Sequence, residues 1–399
     1  MIALLALLPA LLLADAATYE LLARTEARET SSVPGEQGSV HAQVLQLDLT
    51  GNANFQLGGW ALSAGYSPRI LLFLPDQANP SGVTGFNTAV LIAALQITPR
   101  QLLTLTQTAA YGTQDNSPLS AAAPGTTPAQ QLLSLNPRLP LVEILATITA
   151  TSQATHQQKL SPFITTTEVA SFTLSGGADA LAREFLPFQH SLVGAATLAW
   201  RIDKTDSLTL ASTVSGTNFT DHSRSRVAAA TLGWSTVFAR ATTFAITAGS
   251  SFSHSSGNAQ ARSGWQPAAT GAVTLASVLS DGPEKLSYSL RAGVSTVIDP
   301  LGDGVFELGD ARASLIFEPS RQLSLSATGA GGRALTGGAQ AGQSVATLDV
   351  SGTLKLSTDL LISVGARGSW QALPPGEIGA AGTHWAGYAA LTVTDRGHF

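Results

Sequence analysis

The chain has 399 residues, of which 44% are hydrophobic and 12% charged, with a net charge of −5 and no cysteine. So few charges cannot cover the surface of two or three water-soluble domains, and so many apolar residues with so small a net charge exclude intrinsic disorder. Beyond the N-terminus no apolar run approaches the ~18 residues that a membrane-spanning helix needs, the longest being Ile70 to Leu74 and Ala89 to Leu95. The apolar residues must be dispersed, and their period decides the fold.

Residues 1–16 read as a signal peptide. Met1 to Leu13 is almost all Leu, Ala and Ile, and Ala14-Asp15-Ala16 offers an A-x-A cleavage pattern, although no Lys or Arg precedes Arg24. Export would permit disulfides, but without cysteine something else must hold the chain together. Residues 17–38 form the most charged stretch, with Glu20, Arg24, Glu26, Arg28 and Glu29. This stretch is too short for a plug domain. It is expected to lie in a lumen or hang in the periplasm, with an extra pairing strand as the alternative, at odds with an even count.

From Ser39 onward the period is two. Leu192, Gly194, Ala196, Leu198, Trp200 and Ile202 oppose Ser191, Thr197 and Arg201. Phe244, Ile246, Ala248 and Phe252 oppose Thr243, Thr247, Gly249 and Ser251. Two later segments, around Leu286 to Val294 and Leu348 to Leu356, behave alike. Each is a strand with one apolar and one polar face. A soluble sandwich also alternates, but these segments run about 9–12 residues, the length of a tilted strand across a bilayer. Their polar faces are mainly Ser, Thr, Gly and Ala, as in a wetted lumen wall.

Short and long connections also alternate. Short turns are expected at 67–69, 98–100, 159–162, 203–206, 239–242, 280–285, 318–321 and 357–359, where Pro, Asp and Ser set turn geometry. Long connections fall near 75–86, 112–141, 175–190, 216–225, 254–266, 299–309, 330–344 and 371–384. The expectation is an all-β fold. It is a transmembrane antiparallel β-barrel over residues 39–399 with about 18 strands (16 possible), short periplasmic turns and long outer loops. Lipid cannot satisfy backbone polar groups, so the sheet must close. Trp60, Tyr66, Trp200, Trp234, Trp370 and Trp385 near strand ends fit an interfacial girdle.

The chain ends in Phe399, with Trp385, Ala389, Leu391 and Val393 on its parity and Asp395 and Gly397 interrupting. In this ending and in its architecture it resembles Gram-negative outer-membrane barrels. The hairpin style at Tyr66-Ser67-Pro68-Arg69 and Thr98-Pro99-Arg100 resembles, more narrowly, the eighteen-stranded barrels of myxobacterial polysaccharide-export pathways. That resemblance implies outward passage of a polymer together with a periplasmic polysaccharide-export protein.

By parity, Asp48, Arg201, Arg291, Arg312, Glu318, Asp349, Lys355 and Arg367 point into the lumen, where isolated charges either tune solute passage or simply wet the wall. Basic residues gather at the short-turn rim: Arg69, Arg100, Lys159, Lys204, Arg240, Lys285 and Arg321. They suit an anionic polymer or a docking partner, or are interfacial cations that snorkel. In the connection 112–141, the apolar stretch Ala129 to Leu135 is expected to constrict the lumen or cap its outer mouth. Residues 178–185 are expected to form a short helix. The histidines lack metal-ligand spacing, and Asp221-His222-Ser223 with His254 is a poor basis for a triad. No cofactor, nucleic-acid partner or enzymatic activity is indicated. Sixteen to eighteen strands leave an aqueous channel, so the expected function is a pore lying in outer-membrane lipid. It passes polysaccharide or polar solutes, with a general diffusion porin, a hydrolase or an adhesive barrel as alternatives.

Overall fold

A computed structural model describes residues 16–30, 42–74, 83–115, 144–220, 222–239, 241–257, 264–281, 284–299, 304–336, 342–372 and 382–398. They form eighteen strands. In chain order these are β1 (Ala16–Thr30), β2 (Ala42–Leu57), β3 (Trp60–Leu74), β4 (Val83–Thr98), β5 (Gln101–Asp115) and β6 (Ile144–Lys159). After them come β7 (Ile164–Gly177), β8 (Gln189–Arg201), β9 (Asp206–Phe219), β10 (Arg224–Ala239), β11 (Thr242–Ser256) and β12 (Gln266–Asp281). The last six are β13 (Glu284–Ile298), β14 (Val305–Glu318), β15 (Leu323–Thr336), β16 (Ser344–Lys355), β17 (Leu360–Ala372) and β18 (Gly382–His398). One six-residue helix, α1 (Ala180–Phe185), stands in the β7–β8 connection, capped by Asp179, which accepts from the Ala182 N–H.

Every strand pairs antiparallel with its sequence neighbours, and β1 pairs with both β2 and β18. The sheet is therefore a closed eighteen-stranded barrel without an edge, the form that lipid demands of a spanning sheet. Cross-strand registers keep the parity constant around the ring. Leu21, Leu49, Leu91, Leu105, Leu210, Leu232, Ile246, Val273, Leu290, Leu348 and Val364 all project outward and are exposed. The apolar faces thus point away from the lumen, the reverse of a water-soluble sandwich and the arrangement of a barrel in the outer membrane.

The count of eighteen is met, but by a different segmentation. The segment 17–38, expected to lie in the lumen or periplasm, holds strand β1. Tyr19, Leu21, Ala23, Thr25 and Ala27 face outward there, while Glu20, Arg24, Glu26 and Arg28 face inward, so four of its five charges follow period two, with Glu29 near the strand end on the other parity. The expected turn at 67–69 is not a turn. Chain reversal occurs at Gly58-Gly59, where Gly58 has φ +53°, and Ser67-Pro68-Arg69 lies within β3. Pro68 has no N–H to give. The β2–β3 ladder accordingly runs Asp48–Arg69, then Gly51–Tyr66, with no pairs between. Ser67 Oγ bridges the gap by donating to Thr50 Oγ1 at 3.1 Å. Tyr66 is consequently mid-strand rather than at an end, and its hydroxyl donates to Asn87 Oδ1 at 2.7 Å.

At the other seven expected positions one described strand ends and the next begins within a few residues. Strands run 12 to 17 residues, longer than the apolar period suggests. Pairing continues past the apolar zone into polar residues such as Arg224 and Arg226 of β10. The interruptions before Phe399 also have a cause: Tyr19 lies against Gly397, where a Cβ would sit 2.5 Å from its ring, and its hydroxyl approaches Asp395.

Candidate functional site: the lumen wall

The inward face follows from the same parity. Much of it is hydroxyl-lined, with cross-strand pairs such as Ser191–Thr217, Ser207–Ser235, Ser326–Ser351 and Thr353–Ser363 at 2.6–2.9 Å. Each hydroxyl both donates and accepts, so the wall is wet without fixed charge. Two regions depart from this.

The first is a chain of charges across the barrel seam. On β2, Asp48 accepts from Gln46 Nε2 and, across the ladder, from Arg69 Nε of β3, both at 2.6 Å. On β1, Arg24 and Glu26 pair at 2.5 Å. Glu26 in turn meets Arg367 of β17 at 3.2 Å, passing over β18, where the intervening inward residues Ala386 and Ala390 are small. Arg367 Nε donates to Asp349 Oδ2 of β16 at 2.7 Å, and Tyr388 Oη of β18 donates to Asp349 Oδ1 at 3.3 Å. The guanidinium lies 4.2 Å from the Tyr388 ring centroid. Glu26 is 1% exposed and Arg367 7%, so these are buried, hydrogen-bonded ions. The chain of contacts ties β16, β17, β18 and β1 together where first and last strands meet.

The second is a fold of the wall. The β12–β13 ladder stops at Gly271–Val294, yet β13 and β14 stay paired as far as Ile298–Val305. Their tip therefore leaves the wall, and it turns inward. Thr296, on the outward parity of β13, is hydrogen-bonded to Ser251 on the inner face of β11. Ser225 Oγ on the inner face of β10 donates to the Gly304 carbonyl. Ser225, Ser251 and Val227 are buried beneath the tip. Phe306 and Leu308 on its other side pack with Ala334, Val345 and Val297. Glycines allow the bend: a Cβ on Gly271 would sit 2.6 Å from the Thr247 carbonyl oxygen. A cavity of about 820 Å³ opens there, lined by Gly271, Gly293, Gly309, Gly331, Gly332 and Asp310 among others. Arg291 and Arg312 face each other across β13–β14, and Asp310 lies 3.7 Å from Arg291.

Of the residues singled out from sequence, Asp349 and Arg367 meet in the seam chain, Asp48 pairs with Arg69 beside it, and Arg291 and Arg312 sit below the bend. Arg201, Glu318 and Lys355 have inward parity but end their strands, at the short-turn rim. Arg201 donates to the Pro162 carbonyl and stacks on Phe163. Arg100, Lys159, Lys204, Lys285 and Arg321 do lie at short turns or adjacent strand ends. Arg69 does not: it is in mid-β3, because Pro68 interrupts the ladder without reversing the chain. Arg240, residues 1–15 and most of the connection 112–141, including 129–135, lie outside the described residues. Sequence reasoning missed Arg24, Glu26 and Tyr388. For Arg24 and Glu26 the signal was present in residues 19–28, where Glu20, Arg24, Glu26 and Arg28 alternate with uncharged residues and only Leu22 breaks the pattern. His254 packs on Trp265, His222 has φ +72°, and Asp221 is not described. Among the described residues no three potential metal ligands come together.

No protein-family model and no curated protein matches the chain. Solved structures match over nearly its whole length. The outer membrane protein opdK from Pseudomonas aeruginosa is 11% identical, covering 96% of this chain and 99% of that one, with a TM-score of 0.48. OccAB4 from Acinetobacter baumannii is 7% identical over the same shares, with a TM-score of 0.49. The FrpB iron transporter from Neisseria meningitidis is 6% identical, covering 89% of this chain and 62% of that one, with a TM-score of 0.51. At such identities the likeness is one of fold: a closed outer-membrane β-barrel.

Proposed function

We propose that the protein is an outer-membrane pore for polar solutes, narrowed by the inward β13–β14 tip. The observation that carries this reading is the tip itself, bonded to β10 and β11 across the inner wall. A hairpin folded over a hydroxyl-lined wall leaves a smaller passage whose rim carries Arg291, Arg312 and Asp310, where solute charge is felt. Planar-bilayer recording of the purified protein tests it. Discrete channels are expected, and a barrel that inserts but never conducts would sink the reading.

A second reading, export of an anionic polysaccharide with a periplasmic partner, has its support in the basic residues Arg100, Lys159, Lys204, Lys285 and Arg321 at the short-turn end. Such a rim concentrates polyanions. Acidic oligosaccharide added on the short-turn side should block current in the native channel and less so after four of these residues become Gln. Equal block in both would remove this reading.

A further inference from the structure

The outer wall is apolar nearly everywhere, but not across β5, β6 and β7. Glu168 of β7 projects outward with its side chain 67% exposed, and His156 Nδ1 of β6, its register partner, lies 3.6 Å away. On the same face, Gln107 of β5 donates to Ser152 Oγ of β6 at 2.9 Å. Glu168 is four residues in from Ile164, the first residue of β7, which pairs with the girdle residue Trp200. At ~3.3 Å per residue and roughly 40° of tilt, that is about 10 Å beyond the Trp level, well inside an apolar band about 25 Å tall. Other outward charges among the described residues, such as Arg224, Arg226 and Asp395, stand nearer the strand ends. A carboxylate facing hydrocarbon is unfavourable, and polar groups at that depth are normally covered by protein. The neighbouring outward residues Ala150, Ala154, Ala170 and Ala196 are small, which lets another backbone approach closely.

We propose that this face of β5–β7 is the contact surface of a symmetric homo-oligomer, its occupant a second copy of this chain. The patch contains both halves of its own pairing, which makes it complementary to a copy of itself. A two-fold axis along the membrane normal brings His156 of one protomer towards Glu168 of the other, and a Gln amide towards a Ser hydroxyl, as an isologous interface requires. The inference is independent of what the pore passes.

The absence of cysteine from the chain makes the test clean. Ala154→Cys places a thiol at the centre of the patch, and Leu210→Cys places one on the outer face of β9, outside it. Oxidation in native outer membranes should give a covalent dimer of twice the chain mass with A154C and not with L210C. Native mass spectrometry of the unmodified protein should show an oligomer that the double variant H156L/E168L converts to monomer, with heat-modifiable migration confirming that the variant barrel is folded. Monomer alone without an A154C cross-link, equal cross-linking at both positions, or an A154C adduct with a protein of different mass would each overturn the proposal.

Discussion

The arc from β16 through β1 to β3 and the arc from β10 to β15 are made of the same alternating strands, yet one follows the wall to its end and the other leaves it. Along the seam the inward residues are long, charged and bonded in two groups, Arg69 with Asp48 on β3 and β2, and Arg24, Glu26, Arg367 and Asp349 from β1 across to β16. In the other arc the bend positions and the inner wall beneath the tip are mostly Gly, Ser and Thr, with Arg291, Arg312 and Asp310 standing below the bend, and the β13–β14 tip lies against that wall. Where side chains are large and cross-linked the sheet is held in line. Where they are absent, backbone approaches backbone and the hairpin can fold over.

Removing the tip gives the largest expected effect. Replacing residues 297–306 by a two-residue turn should raise single-channel conductance severalfold, and unchanged conductance would show that the tip is not the constriction. Next comes the seam. Arg367→Ala leaves Glu26 and Asp349 as buried carboxylates without their cation, with an expected loss of about 3–5 kcal/mol. Denaturant unfolding in lipid vesicles measures it, and a loss within error of zero would mean that the ion chain does not hold the closure. Gly271→Val inserts branched atoms where a Cβ already lies too close to the Thr247 carbonyl. It should destabilise by ~1–3 kcal/mol and alter conductance as the bend shifts, whereas the same change in an unbent part of the wall should leave conductance alone.

Arg69→Gln should be mild. Arg69 is 52% exposed to the lumen, so its pair with Asp48 contributes about 0–1 kcal/mol. Loss of its charge should shift reversal potential towards cation preference.

The smallest effect belongs to Asp203 in the β8–β9 turn. Backbone N–H groups of Asp206 and Thr205 hold its carboxylate below the ordinary value of 3.8. The depressed value means that its contribution is present above the unfolded-state pKa and is lost as pH falls through the folded one. A pH series comparing Asp203→Asn with the native protein should show curves that converge only in strong acid.

The barrel was legible because lipid enforces period two, and Leu192 to Ile202 or Leu286 to Val294 carry that period openly. β1 was hidden by its charges, since five ionisable residues in ten look like a solvated tail until the even spacing of Glu20, Arg24, Glu26 and Arg28 is noticed. Ser67-Pro68-Arg69 misled for the opposite reason. Proline with small polar neighbours is a turn signal, but an outward Pro needs only a missing ladder pair, whereas Gly58-Gly59 could supply the left-handed backbone of a real reversal. Strand ends ran past the apolar zone because hydrogen bonding does not stop where lipid does.

The sequence by itself determined that alternate side chains face an apolar medium, and so that the sheet closes, because that requirement acts residue by residue. It also determined most of the turns, which are local. Only the tertiary structure decided which strand completes the ring, how Glu26 finds Arg367 from the far end of the chain, and that the β13–β14 tip bends inward. Those outcomes depend on registers and on contacts between strands far apart in sequence, which no local pattern encodes.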